Sequence, residues 1–327
     1  MTTDSRIAVV IPARNAGAFL REALDSVFAQ DVRPAEVVVV DDGSTDDTRA
    51  VATGYGRGVR CLSAGLPRAP EKQGSSARAR NRGIAATKGE LIAFLDADDL
   101  WVPEKTSRQL ALLDAHPDLG MVFSDMRAFE ANRPAETTYF QERGFTGTCT
   151  ASSIFLHDMV STPTVILRRA ILSACGAFDE SVGVGQDTDL WFRIALRERF
   201  AAISEPLVLR RFHGANITRD ARRLAEAVVT IWGRYLDAVI EHEPHMRRAL
   251  RGDFAAKRWH HLFLEGCTAL HDGRRAEARR RFFEAALAKP GEARTYAFLG
   301  ATFLGQRALR KLRVGGAAGA GGSTWSS

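Results

Sequence analysis

The sequence predicts an α/β domain on a doubly wound, mostly parallel sheet flanked by helices, followed by an all-helical C-terminal extension. Three observations carry that expectation. Short β-branched apolar runs alternate with segments of helical period along the first two-thirds of the 327 residues. That rhythm implies a parallel sheet with helices on both faces. The runs end in polar segments, two of them acidic, and ligands of open α/β sheets bind beyond those carboxyl ends. From about residue 222 the pattern turns helical throughout, and the charge changes sign. Residues 207 onward hold 22 Lys/Arg against 11 Asp/Glu, a net +11, whereas residues 1–206 carry −5. A mildly acidic front and a basic rear point to two units with different jobs.

The elements follow in order. Ile7–Pro12 is a buried strand, and Phe19, Leu20, Ala23, Leu24, Val27 and Phe28 then recur at helical spacing. Glu36–Asp42 (EVVVVDD) is a second buried strand, and Val59–Ser63 a weaker third. Ser75–Ala86 is an Arg-rich helix, Glu90–Asp98 a strong strand, Lys105–Ala115 a helix and Met121–Phe129 extended. Residues 130–185 show no clear period, which suits a variable, substrate-facing region. Asp187–Arg199 is an amphipathic helix with acids in its first turn and bases in its last, as the helix dipole favours. Within 253–288, a Gly turn followed by closely spaced Ala resembles one tetratricopeptide-type hairpin. The Gly/Ala/Ser-rich end, 315–327, reads as a disordered tail.

Composition narrows the class. Hydrophobic content of 45% and charged content of 26% are those of a globular protein with a real core. Cys61, Cys149, Cys175 and Cys267 show no paired spacing. That argues against a disulfide scaffold or zinc site and for a reducing, cytoplasmic setting. Neither a signal peptide nor an apolar run of membrane-spanning length is visible. No G-x-G-x-x-G follows the first strand, which excludes a nicotinamide-dependent dehydrogenase. The basic rear is the sole hint of nucleic acid, and with no recognised module none is expected as a partner.

The most informative segment is Phe-Leu-Asp-Ala-Asp-Asp at 94–99, three carboxylates where a buried strand runs out. Carboxylates packed this close want a cation beside them, and a divalent metal carrying a phosphate ligand meets that need.

Five segments in order resemble a family 2 glycosyltransferase of the GT-A fold, over residues 6 to about 218. They are VVIPARN at 9–15, VDDGSTDDT at 40–48, ARNRGIAATKGELIAFLDADD at 79–99, GQDTDLWFR at 185–193 and RRFHGANIT at 210–218. Gly176-Ala177-Phe178-Asp179-Glu180 resembles the turn often seen before the catalytic helix. The resemblance implies inverting sugar transfer from a nucleoside-diphosphate sugar, UDP- or dTDP-linked, to a glycan or lipid-linked acceptor. It divides the chain into a catalytic domain at 1–221, a helical extension at 222–314 and the tail. Within the first, residues 1–100 form the nucleotide-sugar half, and 101–221 the acceptor and catalytic half.

The resemblance also implies roles. Pro12, Arg14 and Asn15 line the donor side at the end of the first strand. Asp42 accepts from the N3–H of a uracil or thymine; the alternative is a turn cap through Ser44 and Thr45. Arg80 and Asn81 face the strand ends, where an Arg fork suits phosphate oxygens, although Arg78 and Arg82 dilute that assignment. In Asp96-Ala97-Asp98, Asp96 takes the ribose hydroxyls and Asp98 binds Mg²⁺ or Mn²⁺, while Asp99 reads as a cap. His213 approaches the metal or diphosphate, with a structural histidine as the alternative. Asp187 is the general base that takes the acceptor hydroxyl proton; it follows Gln186 where the family usually has Glu. Trp101 and Trp191 have sugar stacking as one reading and core packing as the other. A loop in 130–160 or 205–218 is expected to close over the site.

Two rival readings share parts of this pattern. A sugar nucleotidyltransferase opens with a Gly-rich basic phosphate loop, which Ile11–Gly17 matches poorly. An inactive, transferase-like scaffold would not need Asp42, Asp96, Asp98 and Asp187 together. The basic helices are left to dock on a partner protein or on an anionic membrane surface, which would put the protein at the inner membrane face.

Overall fold

The computed structural model describes residues 2–65, 76–131, 133–213 and 221–303. The chain divides into two compact units, the first running to Asn216 and the second starting at Ile217.

The first unit opens with a β–α–β rhythm. Strand β1 (Thr2–Ala13), helix α1 (Gly17–Phe28), β2 (Val32–Asp41), α2 (Thr48–Gly54), β3 (Arg60–Ser63), α3 (Ala77–Ala86) and β4 (Leu91–Phe94) follow in turn. β2 and β4 both pair parallel with β1, and β3 pairs parallel with β2. The order β3-β2-β1-β4 brings the ends of β1, β2 and β4 side by side. Every residue from Ile7 to Ile11 is buried, and alternate side chains serve opposite faces. Ile7, Val9 and Ile11 join Leu20 and Leu24 of α1 and Val51 of α2 in one core. Val38, Val40 and Ala79 of α3 belong to a core on the other face. There α3 lies so close that a Cβ on Gly83 would fall 2.3 Å from Val10 Cγ1.

The second half of the sheet is mixed. After β5 (Leu100–Trp101) and α4 (Lys105–Ala115), the strands β6 (Leu119–Glu130), β7 (Arg133–Pro134), β8 (Ile166–Arg168) and β9 (Arg199–Arg211) complete nine strands among the described residues. β6 and β9 are parallel, β8 runs antiparallel to both β4 and β6, and β5 runs antiparallel to β9. The purely parallel part is thus the front half. Between β7 and β9 lie four helices: α5 (Tyr139–Arg143), α6 (Ala151–His157), α7 (Ile171–Cys175) and α8 (Gln186–Ala195). These break up the stretch in which the sequence shows no period. Phe178 before α8 meets Phe94 and Trp191 edge-on, which places α8 on the α3 side of the sheet.

The strand expected at Glu90–Asp98 is shorter than its apolar run. It stops at Phe94, and Leu95 and Ala97 are buried in the turn that follows. Helix α8 likewise starts at Gln186 and ends at Ala195, short of the expected Arg199, because Arg199 opens β9. Trp101 and Trp191 are 3% and 0% exposed, so packing, not sugar stacking, is their role.

The second unit is helical: α9 (Ala221–His242), α10 (Arg247–His271), α11 (Arg275–Ala288) and α12 (Ala293–Ala301). α10 and α11 form a hairpin about Gly273, whose φ of 78° favours glycine. Phe263, Ala269, Ala278 and Phe282 form its core, with Phe298 of α12 packed on. The expected tail at 315–327 lies outside the described residues.

Candidate active site

Three loops at the carboxyl ends of β1, β2 and β4 build one side of the site. Asn15, just past β1, sits at φ 49°, a left-handed conformation that Asn tolerates better than most residues. Its N–H donates to Ser44 Oγ at 2.9 Å, and its side-chain oxygen accepts from the Thr45 N–H at 2.9 Å. Asn15 therefore ties the first loop to the second. Pro12 is still within β1, opposite Val40, while Arg14 is exposed beside Asn15.

The two acids ending β2 have separate work. Asp41 is buried and accepts from the Ser44 N–H at 3.0 Å, so the turn-capping role falls to it. Asp42 instead meets Arg78 of α3, with Nη2 to Oδ1 at 3.2 Å. Arg78, which diluted the assignment in the sequence, thus reaches the acid that ends β2.

The acidic segment after β4 is divided three ways. Asp96 Oδ1 accepts from Arg80 Nη2 at 2.7 Å, and Arg80 is itself 5% exposed. Asp98 Oδ2 lies 2.9 Å from His213 Nε2, and the His213 ring stacks on Phe19 of α1 at 4.6 Å. Asp99 is fully buried, and burial first, then Asp98 and Asp96, holds its carboxyl well above the usual range. It is not a helix cap, since Glu104 occupies that position for α4. Its Oδ1 accepts from the Arg211 N–H at 2.9 Å, and Arg211 Nε donates to Asp98 O. The end of β9 is therefore fastened to the acidic turn, and that fastening delivers His213. The RRFHGANIT segment is described only as far as His213; residues 214–218, named above as part of a closing loop, lie outside the described residues.

The spacing of Asp98 and His213 suits a metal ion. Two cis ligands of an octahedral ion with bonds of about 2.1 Å sit about 3 Å apart, so the observed 2.9 Å separation already fits. Among the described residues no cluster of three or more His, Cys, Asp or Glu joins them. An ion held here would need further oxygen ligands from a diphosphate or water.

The other side of the site is the start of α8. Gly185, at φ 83°, begins the helix, and Asp187 stands in its first turn, half-buried. Asp187 Oδ1 accepts from the Thr188 N–H at 3.0 Å, and Oδ2 accepts from Thr162 Oγ1 at 3.1 Å. Asp189, also in the first turn, faces inward at 1% exposure and pairs with Arg193 at 2.9 Å. Arg193 in turn donates to the carbonyls of Cys175 and Ala177. Asp189 is thus a brace for the 176–180 turn.

Gln186 joins the two sides. With its amide oriented to satisfy its neighbours, its oxygen accepts from Arg80 Nη1 at 3.1 Å and its nitrogen donates to Gly183 O at 3.1 Å. Arg80 therefore spans Gln186 and Asp96. Asn81, expected among the donor contacts, commits both ends of its amide to the turn before α8. It donates to Phe178 O at 2.8 Å and Glu180 Oε1 at 2.9 Å and accepts from the Phe178 N–H at 3.0 Å. Thr162 and Gln186 were not among the expected site residues. Gln186 stood out only as a departure from Glu, and Thr162 lies in the aperiodic stretch.

A parallel front half with carboxylates at its strand ends, joined to a helix presenting one more carboxylate, has the layout of a GT-A glycosyltransferase. The chain belongs to glycosyl transferase family 2, whose family model matches residues 8–176. It is similar to the succinoglycan biosynthesis protein ExoU of Rhizobium meliloti, 32% identical over 266 residues, which span 74% of this chain and 75% of that protein. Among solved structures it is similar to S. aureus TarS 1–349 in complex with UDP-GlcNAc. That match has a TM-score of 0.60 and 19% identity over 90% of this chain and 84% of the other. It is also similar to the mannosyltransferase PcManGT of Pyrobaculum calidifontis in complex with GDP-Man and Mn²⁺. Here the TM-score is 0.57 with 20% identity over 94% and 81% of the two chains. Among the described residues no helix is long and apolar enough to cross a membrane.

Proposed function

We propose that this glycosyltransferase inverts the configuration of a sugar transferred from a UDP- or dTDP-sugar to a hydroxyl of a glycan or lipid-linked acceptor. The observation that carries the reading is the division of carboxylates. One set sits with Arg78, Arg80 and His213 at the strand ends, and one stands apart on α8. Asp42 reads the nucleobase N3–H, and Asp96, held by Arg80, takes the ribose hydroxyls. Pro12, Arg14, Asn15 and Ala97 shape the loops around them. Asp98 and His213 would hold a divalent ion, Mg²⁺ or Mn²⁺, which when bound would offset negative charge on a diphosphate. Asn81 braces the turn that aims α8.

Asp187 accepts the proton of the acceptor hydroxyl as that oxygen attacks the anomeric carbon from the face opposite the diphosphate. Each of its oxygens takes one hydrogen bond and retains a lone pair. Gln186, being neutral, leaves the charge of Arg80 to Asp96. Both PcManGT and TarS are described with nucleotide sugars, and ExoU by its part in making a polysaccharide. These likenesses support donor, metal and product class.

The test is a thermal-shift screen with Mn²⁺ against UDP-, dTDP- and GDP-sugars, since a true ligand stabilises the fold by mass action. The reading expects one uracil or thymine donor to raise the midpoint in the wild type. In Asp98→Ala the Mn²⁺-dependent part of that shift should vanish. An undiminished shift there removes the metal from Asp98, and a response to GDP-sugars alone overturns the base assignment.

We further propose that the helical unit rests on an anionic lipid surface, at the inner membrane face. Along α11, Arg279, Phe283 and Leu287 are exposed at four-residue spacing, with Arg280 beside them. Basic and apolar side chains on one exposed helix face suit the headgroup boundary of anionic lipid.

A further inference from the structure

The short 3-10 turn Thr162–Thr164 is almost wholly buried and is held by two side chains from other elements. Trp101 Nε1 donates to Pro163 O at 3.0 Å, and Gln109 Nε2 donates to Thr164 O at 2.8 Å and to Val122 O of β6 at 3.0 Å. Within the turn, Thr164 Oγ1 donates to Ser161 O at 2.6 Å. Gln109 is itself fixed by Lys105, whose Nζ donates to its Oε1 at 2.6 Å and lies 4.2 Å from the Trp101 ring centroid. Lys105 has no exposed surface. A buried amine is a costly way to hold one amide, and nothing in the donor site uses it.

What this support delivers is one hydroxyl. Thr162 is 2% exposed, and its Oγ1 donates at 3.1 Å to Asp187 Oδ2. Buried threonines in most turns satisfy their hydroxyl on nearby backbone. This one reaches a carboxylate 25 residues away on another element. Trp101 and Lys105 directly follow the acidic 96–99 turn in the chain, so the same segment that carries the donor ligands also anchors this turn.

We propose that Thr162 is the positioning residue of the general base, its hydroxyl fixing the rotamer of Asp187, with Trp101, Gln109 and Lys105 as the rigid support. This inference rests on Asp187 being the base. A carboxylate in a helix first turn has several rotamers open to it. One donor from its own helix, the Thr188 N–H, leaves the far oxygen free to swing. The second donor, from a separate and rigid element, removes that freedom and fixes which lone pair meets the acceptor.

The test compares Thr162→Val, Thr162→Ser and Asp187→Asn. Donor affinity is measured by titrating the nucleotide sugar chosen in the screen. Turnover is read as the nucleoside diphosphate released when the sugar passes to water or to a soluble acceptor sugar. Valine keeps the shape and deletes the hydroxyl, and is expected to lower kcat by about 10- to 100-fold, the scale of a misplaced catalytic group, with donor Kd unchanged. Serine restores the hydroxyl and is expected to recover most of that loss. Should the valine variant fail to fold, Thr162→Ala removes the same hydroxyl without added bulk. An unchanged kcat in the valine or alanine variant overturns the proposal. So does a serine variant as slow as valine, or a donor Kd that weakens in step with kcat. Near-normal turnover in Asp187→Asn would instead overturn the base assignment itself, so the two failures are told apart.

Discussion

Lys105 and Asp187 show how differently two charged side chains are treated within one domain. Burial alone pulls the Lys105 amine well below its ordinary value of 10.5. Between that lowered value and 10.5 the unfolded chain holds a proton that the folded chain does not. Stability therefore rises with pH through this window and is lost as pH falls. Thermal midpoints of wild type and Lys105→Met at pH 7 and pH 10 check the sign. The variant's midpoint relative to wild type should drop as pH rises, and a constant offset would show that Lys105 is not the titrating group. Asp187, half-buried, is held by two donors. The acids at 41–42 and 96–99 were legible because motif and strand end coincide, and Asp187 because its motif coincides with a helix start. Thr162 and Gln186 were not, because their roles depend on partners far along the chain, Asp187 for one and Arg80 for the other.

At the scale of elements, the period of the sequence was informative wherever a whole face is buried. Ile7–Ile11 and Val37–Val40 are continuous because both faces of the parallel sheet are covered, and α1 and α4 show their apolar stripes plainly. The stretch 130–185 gave no such signal for a physical reason. Its helices α5, α6 and α7 are five to seven residues long, and β8 is three. Pieces that short have no room for a period and are held by distant contacts, such as Arg193 on the 176–180 turn. The mixed second half of the sheet was hidden for the same reason, since β8 is what reverses direction. The α3–β1 contact makes a sharper prediction. Gly83→Ala drives a methyl toward Val10 and should cost about 1–3 kcal/mol, as overpacking does. Urea unfolding of the variant measures it, and an unchanged midpoint would mean that α3 can move away at no cost.

For the molecule as a whole, the charge asymmetry and the helical unit are two views of one feature. Net charge reaches +11 from residue 207 onward, and Phe283, Leu287 and Phe303 of the helical unit are 57%, 67% and 69% exposed. Vesicle sedimentation tests the lipid proposal. Binding to vesicles with anionic lipid, absent with neutral lipid and weakened by salt, is expected, and Phe283→Asp with Leu287→Asp should abolish it. Equal binding of that double variant would place the contact elsewhere. Whether donor binding and chemistry reside on different carboxylates is decided by Asp187→Asn in the intact chain. Nucleotide-sugar affinity with Mn²⁺ and transfer rate are measured on the same preparation. Unchanged donor Kd and a transfer rate reduced by about 10²–10⁴ are expected. Near-normal transfer, or loss of donor binding in proportion to rate, would contradict that division.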